Sequence, residues 1–482
     1  MKHLHPIKKA LQQIKEKQDI AQSDPHRLHF HIMPPVGLLN DPNGFVFYQG
    51  HYHIFYQWNP FATTHGQKYW GHRISSDLVH WEEAPIALAP DEWFDKDGCY
   101  SGSAIVHNEK LYIFYTGNVK DHDGNRASYQ CLAVSDDGLH FDKKGPVIEV
   151  PKGYTAHFRD PKVFSKDGSW FMVIGAQNTQ EQGEVVLYSS PDLENWFYRG
   201  PLTGAHRNEL DNFGYMWECP DLFRIKDQDI LIVSPQGLEA KGYKFNNIYQ
   251  SGYFTGQVDY ESPAYQHGSF EELDRGFDFY APQTTVDESG RRLLFGWMGN
   301  AEVGETQHPT AEYGWIHALT LPRTLQWKKG KLFQTPVKEL AVLRKNEVVY
   351  ENITIINQHK QFNQVAGKVF ELQITVTDWS TNIFSLTIGE STLRFNQNSS
   401  TFTLERKCFN NQGTESRHCH LDKLENIQLF KDTSSLEVFI NNGEEVFTSR
   451  IFDDTNEQAV SFQADGQVTF NLQKWDLEKI FN

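Results

Sequence analysis

The stretch Gly44–Gln57, GFVFYQGHYHIFYQ, decides the fold, because the same pattern of two apolar strands around a polar turn returns four more times. The later copies open at Ser103 (SAIVHNEKLYIFYT), Pro161 (PKVFSKDGSWFMVIG), Pro220 (PDLFRIKDQDILIVS) and Pro282 (PQTTVDESGRRLLFGW), about sixty residues apart. Each copy is too small to bury its own apolar face, so an even repeat of short strands predicts a radial β-propeller, here with five blades. Immediately upstream of the copies stand Asn40-Asp41, Tyr100-Ser101, Arg159-Asp160, Glu218-Cys219 and Tyr280-Ala281. That slot carries an acid in three of the five copies. In a propeller these starts surround one axis, so Asp41, Asp160 and Glu218 are expected at the mouth of a single central funnel. A second echo, in Ser76–Trp81, Ser135–Phe141 and Ser190–Trp196, joins a polar turn to a Leu and an aromatic. It reads as an outer turn followed by a ring packed between neighbouring blades.

At 482 residues the chain exceeds the size at which one core stops growing. The repeats end near Pro336, and from Glu351 alternating segments such as GKVFELQITVTDW, SLEVFINNG and QVTFNLQKW follow with almost no helical period, as in a β-sandwich. Ahead of the repeats, Ile7, Ala10, Leu11 and Ile14 lie at helical spacing in a stretch closed by Ser23-Asp24-Pro25. The expected organisation is therefore all-β: a helical extension over 1–26, a propeller over 27–336, a linker over 337–350 and a sandwich over 351–482.

Lys2, Lys8 and Lys9 have no apolar run behind them, and no stretch is long enough to span a bilayer, so neither a secretory signal nor a membrane partner is expected. Five cysteines, an odd number in a long chain, argue against a disulfide framework and point to the cytoplasm. The formal charge of −17 without a basic cluster makes nucleic acid a poor partner. The sequence says nothing of oligomeric state. Cys408, His418, Cys419 and His420 fit no common zinc spacing and read as a sandwich edge, so neither metal nor cofactor is expected.

Each acid has an ordinary reading when taken alone. Asp41-Pro42-Asn43-Gly44 is turn chemistry, Arg159-Asp160 a local ion pair, and Glu218 a solvated edge carboxylate. Their common register favours chemistry. Three acids at one mouth force at least one pKa upward, and a glycosidase needs one ionised and one protonated carboxyl group.

The segment His31–Gly44, with Asn40-Asp41-Pro42-Asn43-Gly44 at its end, resembles the signature of glycoside hydrolase family 32. Gln57-Trp58-Asn59-Pro60, Trp70-Gly71-His72, Tyr100-Ser101-Gly102-Ser103, Phe158-Arg159-Asp160-Pro161, Trp217-Glu218-Cys219-Pro220, Asp278–Gln283 and Gly296-Trp297-Met298 are similar to that family's later blocks, in order. So is Ser434–Gly443 to a strand of its C-terminal sandwich. The resemblance implies a retaining β-fructofuranosidase with Asp41 as nucleophile, Glu218 as general acid/base and Asp160 as transition-state stabiliser, and no cofactor. It implies a fructose pocket lined by Asn40, Gln57, Tyr100, Ser101, Tyr280 and Trp297. Arg159 is expected to keep Asp160 ionised, and the apolar neighbours Trp217 and Cys219 to raise the pKa of Glu218. Many members place a Trp where this chain has His65 before Gly66, so the expectation is either an altered aromatic wall of the fructose site or an added polar contact, with His65 as a binding residue. Leu38-Leu39, the N-terminal helix and the missing export signal resemble the bacterial sucrose-6-phosphate-hydrolysing branch. Lys68, Arg73, Lys162, Lys241 and Arg323 are its candidate phosphate cations, each with a solvated surface as the ordinary alternative. A short fructo-oligosaccharide hydrolase and a carbohydrate-binding protein without chemistry are the other readings.

Overall fold

The protein is described from a computed structural model over residues 5–301, 305–410, 412–453 and 459–481. Lys2 lies outside these. Five separate antiparallel sheets form the blades, opening with inner strands Gly37–Tyr48, Cys99–His107, Tyr154–Lys166, Met216–Ile225 and Tyr280–Val286. Each inner strand pairs with the next strand in sequence, and the order continues outward, as short hairpins dictate. The ring closes through Trp315–Ile316, which leaves the fifth blade and pairs in parallel with the inner strand of the first, Gly37 opposite Trp315 and Leu38 opposite Ile316.

The Ser-Asp-Leu-aromatic echo has a single geometry in three blades. Asp77, Asp137 and Asp192 each accept two backbone N–H bonds of 2.8–3.0 Å from the residues two and three ahead. Ser75, Ser135 and Ser190 donate to the same carboxylates. The aromatics then cross to the preceding blade: Phe141 meets Phe55, Trp196 meets Phe114, and Trp81 meets Phe295 across the closure, with centroids 5.6–5.7 Å apart. Such edge-to-face pairs add to the apolar area buried between blades.

The C-terminal sandwich is one ten-stranded hydrogen-bonded sheet folded over its own core, anchored by two 19-residue strands, Phe370–Ile388 and Ala459–Leu477, that pair with each other. Residues 337–350, expected as a linker, instead hold a 3-10 turn, Lys338–Leu343, and the first half of the strand Arg344–Ile356, because Arg344 opposite Leu477 already belongs to the sandwich ladder. Propeller and sandwich meet over a buried charge network. Arg323, fully buried, donates to Asp274 (3.0 Å) and Glu437 (2.6 Å), and His31 bridges Asp432 and Glu437. The helix Pro6–Gln22 docks through Ile7, Ala10 and Ile14, whereas Leu11 is half exposed: it lies at the edge of the docked face rather than within it. Among the described residues no helix is long and apolar enough to cross a membrane.

Candidate active site

All five inner strands carry a bulge near the start, one extra residue against the second strand: between Leu39 and Pro42 and between Cys99 and Gly102 in the first two blades and, one residue later in the repeat, between Arg159 and Lys162, Glu218 and Asp221, and Tyr280 and Gln283 in the others. Asp160, Cys219 and Ala281, the residues before proline, adopt left-handed φ of 66°, 49° and 47°. A bulge turns two consecutive side chains to one face of a strand, which regular alternation forbids. This corrects the single-slot reading of the acids. Glu218 stands level with Arg159 and Tyr280, one residue before the position of Asp160, which Cys219 fills in the fourth blade. Both levels reach the funnel only because every strand bulges there. Asp41-Pro42-Asn43-Gly44 is accordingly bulged strand rather than turn, and Gly44 is needed at φ 53°, where a Cβ would lie 2.7 Å from the Phe55 ring.

The bulges open into a cavity of about 620 Å³ at the propeller mouth, within the range of small-molecule sites. Asp41, Asp160 and Glu218 all line it. Asp41 accepts from Ser101 Oγ (2.6 Å) and Asn40 Nδ2 (3.0 Å), with Gln57 Nε2 at 3.5 Å. Gln57 also donates to Ser101, and Lys68 Nζ donates to Asn40 Oδ1 at 2.6 Å, so the carboxylate is held from several sides. Glu218 accepts from Arg159 (2.6 and 2.9 Å), from Tyr280 Oη (2.7 Å) and from Gln236 Nε2 (2.9 Å). Asp160 accepts from the Cys219 N–H at 3.0 Å, and the Cys219 thiol touches both Asp160 and Asp41, at 3.5 and 3.7 Å.

Arg159 does favour the ionised form of Asp160, as expected, but its hydrogen bonds go elsewhere. It gives them to Glu218 and reaches its sequence neighbour Asp160 only as a nearby charge. Trp217 points away from the site. Its indole faces the blade interior, stacked on Phe254 and donating to Phe213 O, while the carboxylate of Glu218 meets three polar donors. Burial instead pushes Asp160 up to about 7, with Arg159 opposing and the charges of Glu218 and Asp41 adding to the push. Burial also raises Asp41, against the hydrogen bonds of Ser101 and Asn40. Burial lowers Lys68 to about 8 despite the pull of Asp41.

The expected binding residues gather here as well. Asn40, Gln57, Tyr100, Arg159, Tyr280 and Trp297 line the cavity, and Ser101 is buried behind it as a donor to Asp41. Trp297 forms a wall, edge-to-face with Tyr280 at 6.1 Å. His65 stands at the rim, its ring 6.1 Å from Trp297 and its Nε2 3.0 Å from Glu305, which His317 also approaches. Of the cations considered for a phosphate, Lys68 alone lines the cavity. Arg73, Lys162 and Arg323 are neither solvated nor in the site, being buried against Glu83, Asp221 and the inter-domain acids. Lys241 is exposed. Gln236, His157, Lys120 and Arg126 were not singled out by the sequence, and Cys219 only as an apolar neighbour of Glu218. One signal existed for Gln236: it ends the second strand of its blade, as Gln57 and Trp297 nearly end theirs.

Comparison with known proteins agrees along nearly the whole chain. The model of the glycosyl hydrolases family 32 N-terminal domain matches residues 31–336, and that of the family 32 C-terminal domain matches residues 339–476. The chain belongs to glycoside hydrolase family 32. It is 52% identical over 473 residues to the sucrose-6-phosphate hydrolase of Bacillus subtilis (strain 168), covering 98% of each chain. Among solved structures, the sucrose-6-phosphate hydrolase from Lactobacillus gasseri superposes with a TM-score of 0.88 at 33% identity, covering 98% of this chain and 97% of that one. The Bombyx mori GH32 beta-fructofuranosidase gives 0.85 at 35%, covering 98% of both. The family 32 chain is thus a five-bladed propeller with a C-terminal sandwich and a glycoside hydrolase.

Proposed function

We propose that this enzyme is a retaining β-fructofuranosidase that hydrolyses the fructosyl bond of sucrose-6-phosphate in preference to sucrose, within the cytoplasm where a phosphorylated sugar is held. The observation that carries the reading is the unequal dressing of three carboxylates in one cavity. Asp41, fixed by Ser101, Asn40 and Gln57, is oriented to attack the anomeric C2 and form a covalent fructosyl-enzyme as the C2–O bond breaks. Glu218, clamped by Arg159, Tyr280 and Gln236, gives a proton to the departing glucosyl oxygen and then takes one from the water that cleaves the intermediate. Asp160, poised near neutrality, accepts from ring hydroxyls that bind more tightly as C2 gains oxocarbenium character. Trp297 supplies the apolar wall for the sugar, and His65 a polar edge.

The substrate preference draws on the names of the B. subtilis and L. gasseri relatives. Purified protein incubated with sucrose, sucrose-6-phosphate, kestose and inulin tests it. The expected kcat/KM for sucrose-6-phosphate exceeds that for sucrose by at least about tenfold, or ~1.4 kcal/mol. Equal efficiency on sucrose refutes the phosphate preference, and a preference for kestose or inulin makes the enzyme a fructo-oligosaccharide hydrolase.

A further inference from the structure

We propose that Lys120 and Arg126, facing each other across the hairpin of the second blade, grip the phosphate on the leaving-group sugar; the proposal rests on the substrate reading above. The two residues end the strands Lys110–Lys120 and Arg126–Ser135 and are direct cross-strand partners. Like charges directly opposite one another destabilise an antiparallel pair, so the hairpin alone does not account for them. Both line the catalytic cavity. Among the described residues neither makes an ion pair, whereas the other cations of the same cavity are engaged, Lys68 with Asn40 and Arg159 with Glu218.

The nearby acids accept their hydrogen bonds from groups other than these two side chains. Asp121, at the hairpin tip, is turned into its own loop, accepting from Asp123 N and from the backbone and side chain of Asn125. Asp97 lines the cavity but accepts from the Lys120 backbone N–H at 2.6 Å. Arg126 is braced with its guanidinium carbon 5.7 Å above the Tyr100 ring, and Tyr100 is the neighbour of Ser101, which holds Asp41. A third donor stands alongside. Arg159 Nη1 donates to His157 Nδ1 at 2.9 Å, so the neutral ring carries its proton on Nε2, and His157 lines the cavity too.

In a cavity floored by three carboxylates, on a chain of charge −17, an unpaired Lys and Arg at one rim create a local anion site where the overall field is repulsive. Their chemistry suits a phosphate monoester: Arg offers a planar fork and Lys a mobile point charge. Both cations share one cavity with Asp41 and Glu218, so the grip places the leaving sugar between these acids and this rim.

The test compares kcat/KM for sucrose-6-phosphate and sucrose in the wild type, in Lys120→Ala/Arg126→Ala and in Arg126→Lys. The ratio of the two efficiencies is expected to fall by at least about tenfold in the double variant and to recover in part with Arg126→Lys. Product inhibition by glucose-6-phosphate should weaken in parallel, with that by glucose moving far less. A preference that persists in the double variant, or equal losses on both substrates, overturns the grip. A wild type with no preference overturns the substrate reading itself and the grip with it.

Discussion

Replacing Ser101 with Ala removes one hydroxyl, and the structure predicts two pH-dependent consequences that run in opposite directions. Ser101 Oγ donates to Asp41 Oδ2 at 2.6 Å from a buried position. A hydrogen bond to a charged group contributes about 1.5–3 kcal/mol, and losing it favours the protonated form of Asp41. Burial already raises this carboxyl and the Ser101 bond opposes it, so the variant pushes Asp41 higher still. Attack requires ionised Asp41. The loss in kcat/KM should therefore reach about 10–100-fold on the acid side and shrink as pH rises toward 8. The lower end applies if Gln57, already 3.5 Å from the same oxygen, swings in to replace the donor. Stability moves the other way. A carboxyl whose folded pKa lies above its unfolded value costs the native state more as pH climbs from that unfolded value through the folded one. The Tm difference between wild type and variant should be small near pH 4.5 and larger near pH 8. Kinetic pH profiles with calorimetry at matched pH measure both. A pH-independent loss of activity, or a Tm deficit greatest in acid, would refute the reasoning.

Two further outcomes follow from the same geometry. In Arg159→Gln the charge that opposes the elevation of Asp160 is gone, so the acid limb of kcat/KM, expected near pH 7 in the wild type, should move alkaline by about one unit; an unmoved or acid-shifted limb would disconnect Asp160 from it. Arg323→Met strands Asp274 and Glu437 without their buried partner and should cost about 3–5 kcal/mol by denaturant titration, while the further changes Asp274→Asn and Glu437→Gln should restore much of it; a single variant as stable as wild type would show that the network contributes nothing.

The repeat made the propeller readable because each blade repeats one local problem, an apolar hairpin needing neighbours on both faces. The alternating C-terminal segments did the same for the sandwich. The three acids were readable as a group, but their relation to one another was not. A bulge has no signature beyond the proline that follows it in four blades, so Glu218 looked level with Asp160, and Arg159 looked like the partner of its sequence neighbour. Long-range pairings escaped for a related reason. His65 meets Glu305, and Lys120 meets Arg126 only through the register of a hairpin whose tip is polar and unremarkable in sequence. The candidate cations Arg73, Lys162 and Arg323 failed because charge alone does not say whether a side chain faces a ligand or a buried carboxylate.

The central claim, that Asp41 forms a covalent fructosyl-enzyme which Glu218 then helps water to open, fixes the stereochemistry of the product. Two displacements at C2 restore the starting configuration. Time-resolved NMR of sucrose-6-phosphate hydrolysis, recorded faster than mutarotation, should show β-fructofuranose as the first species released. Release of the α-anomer first would mean a single displacement by water and would contradict the account.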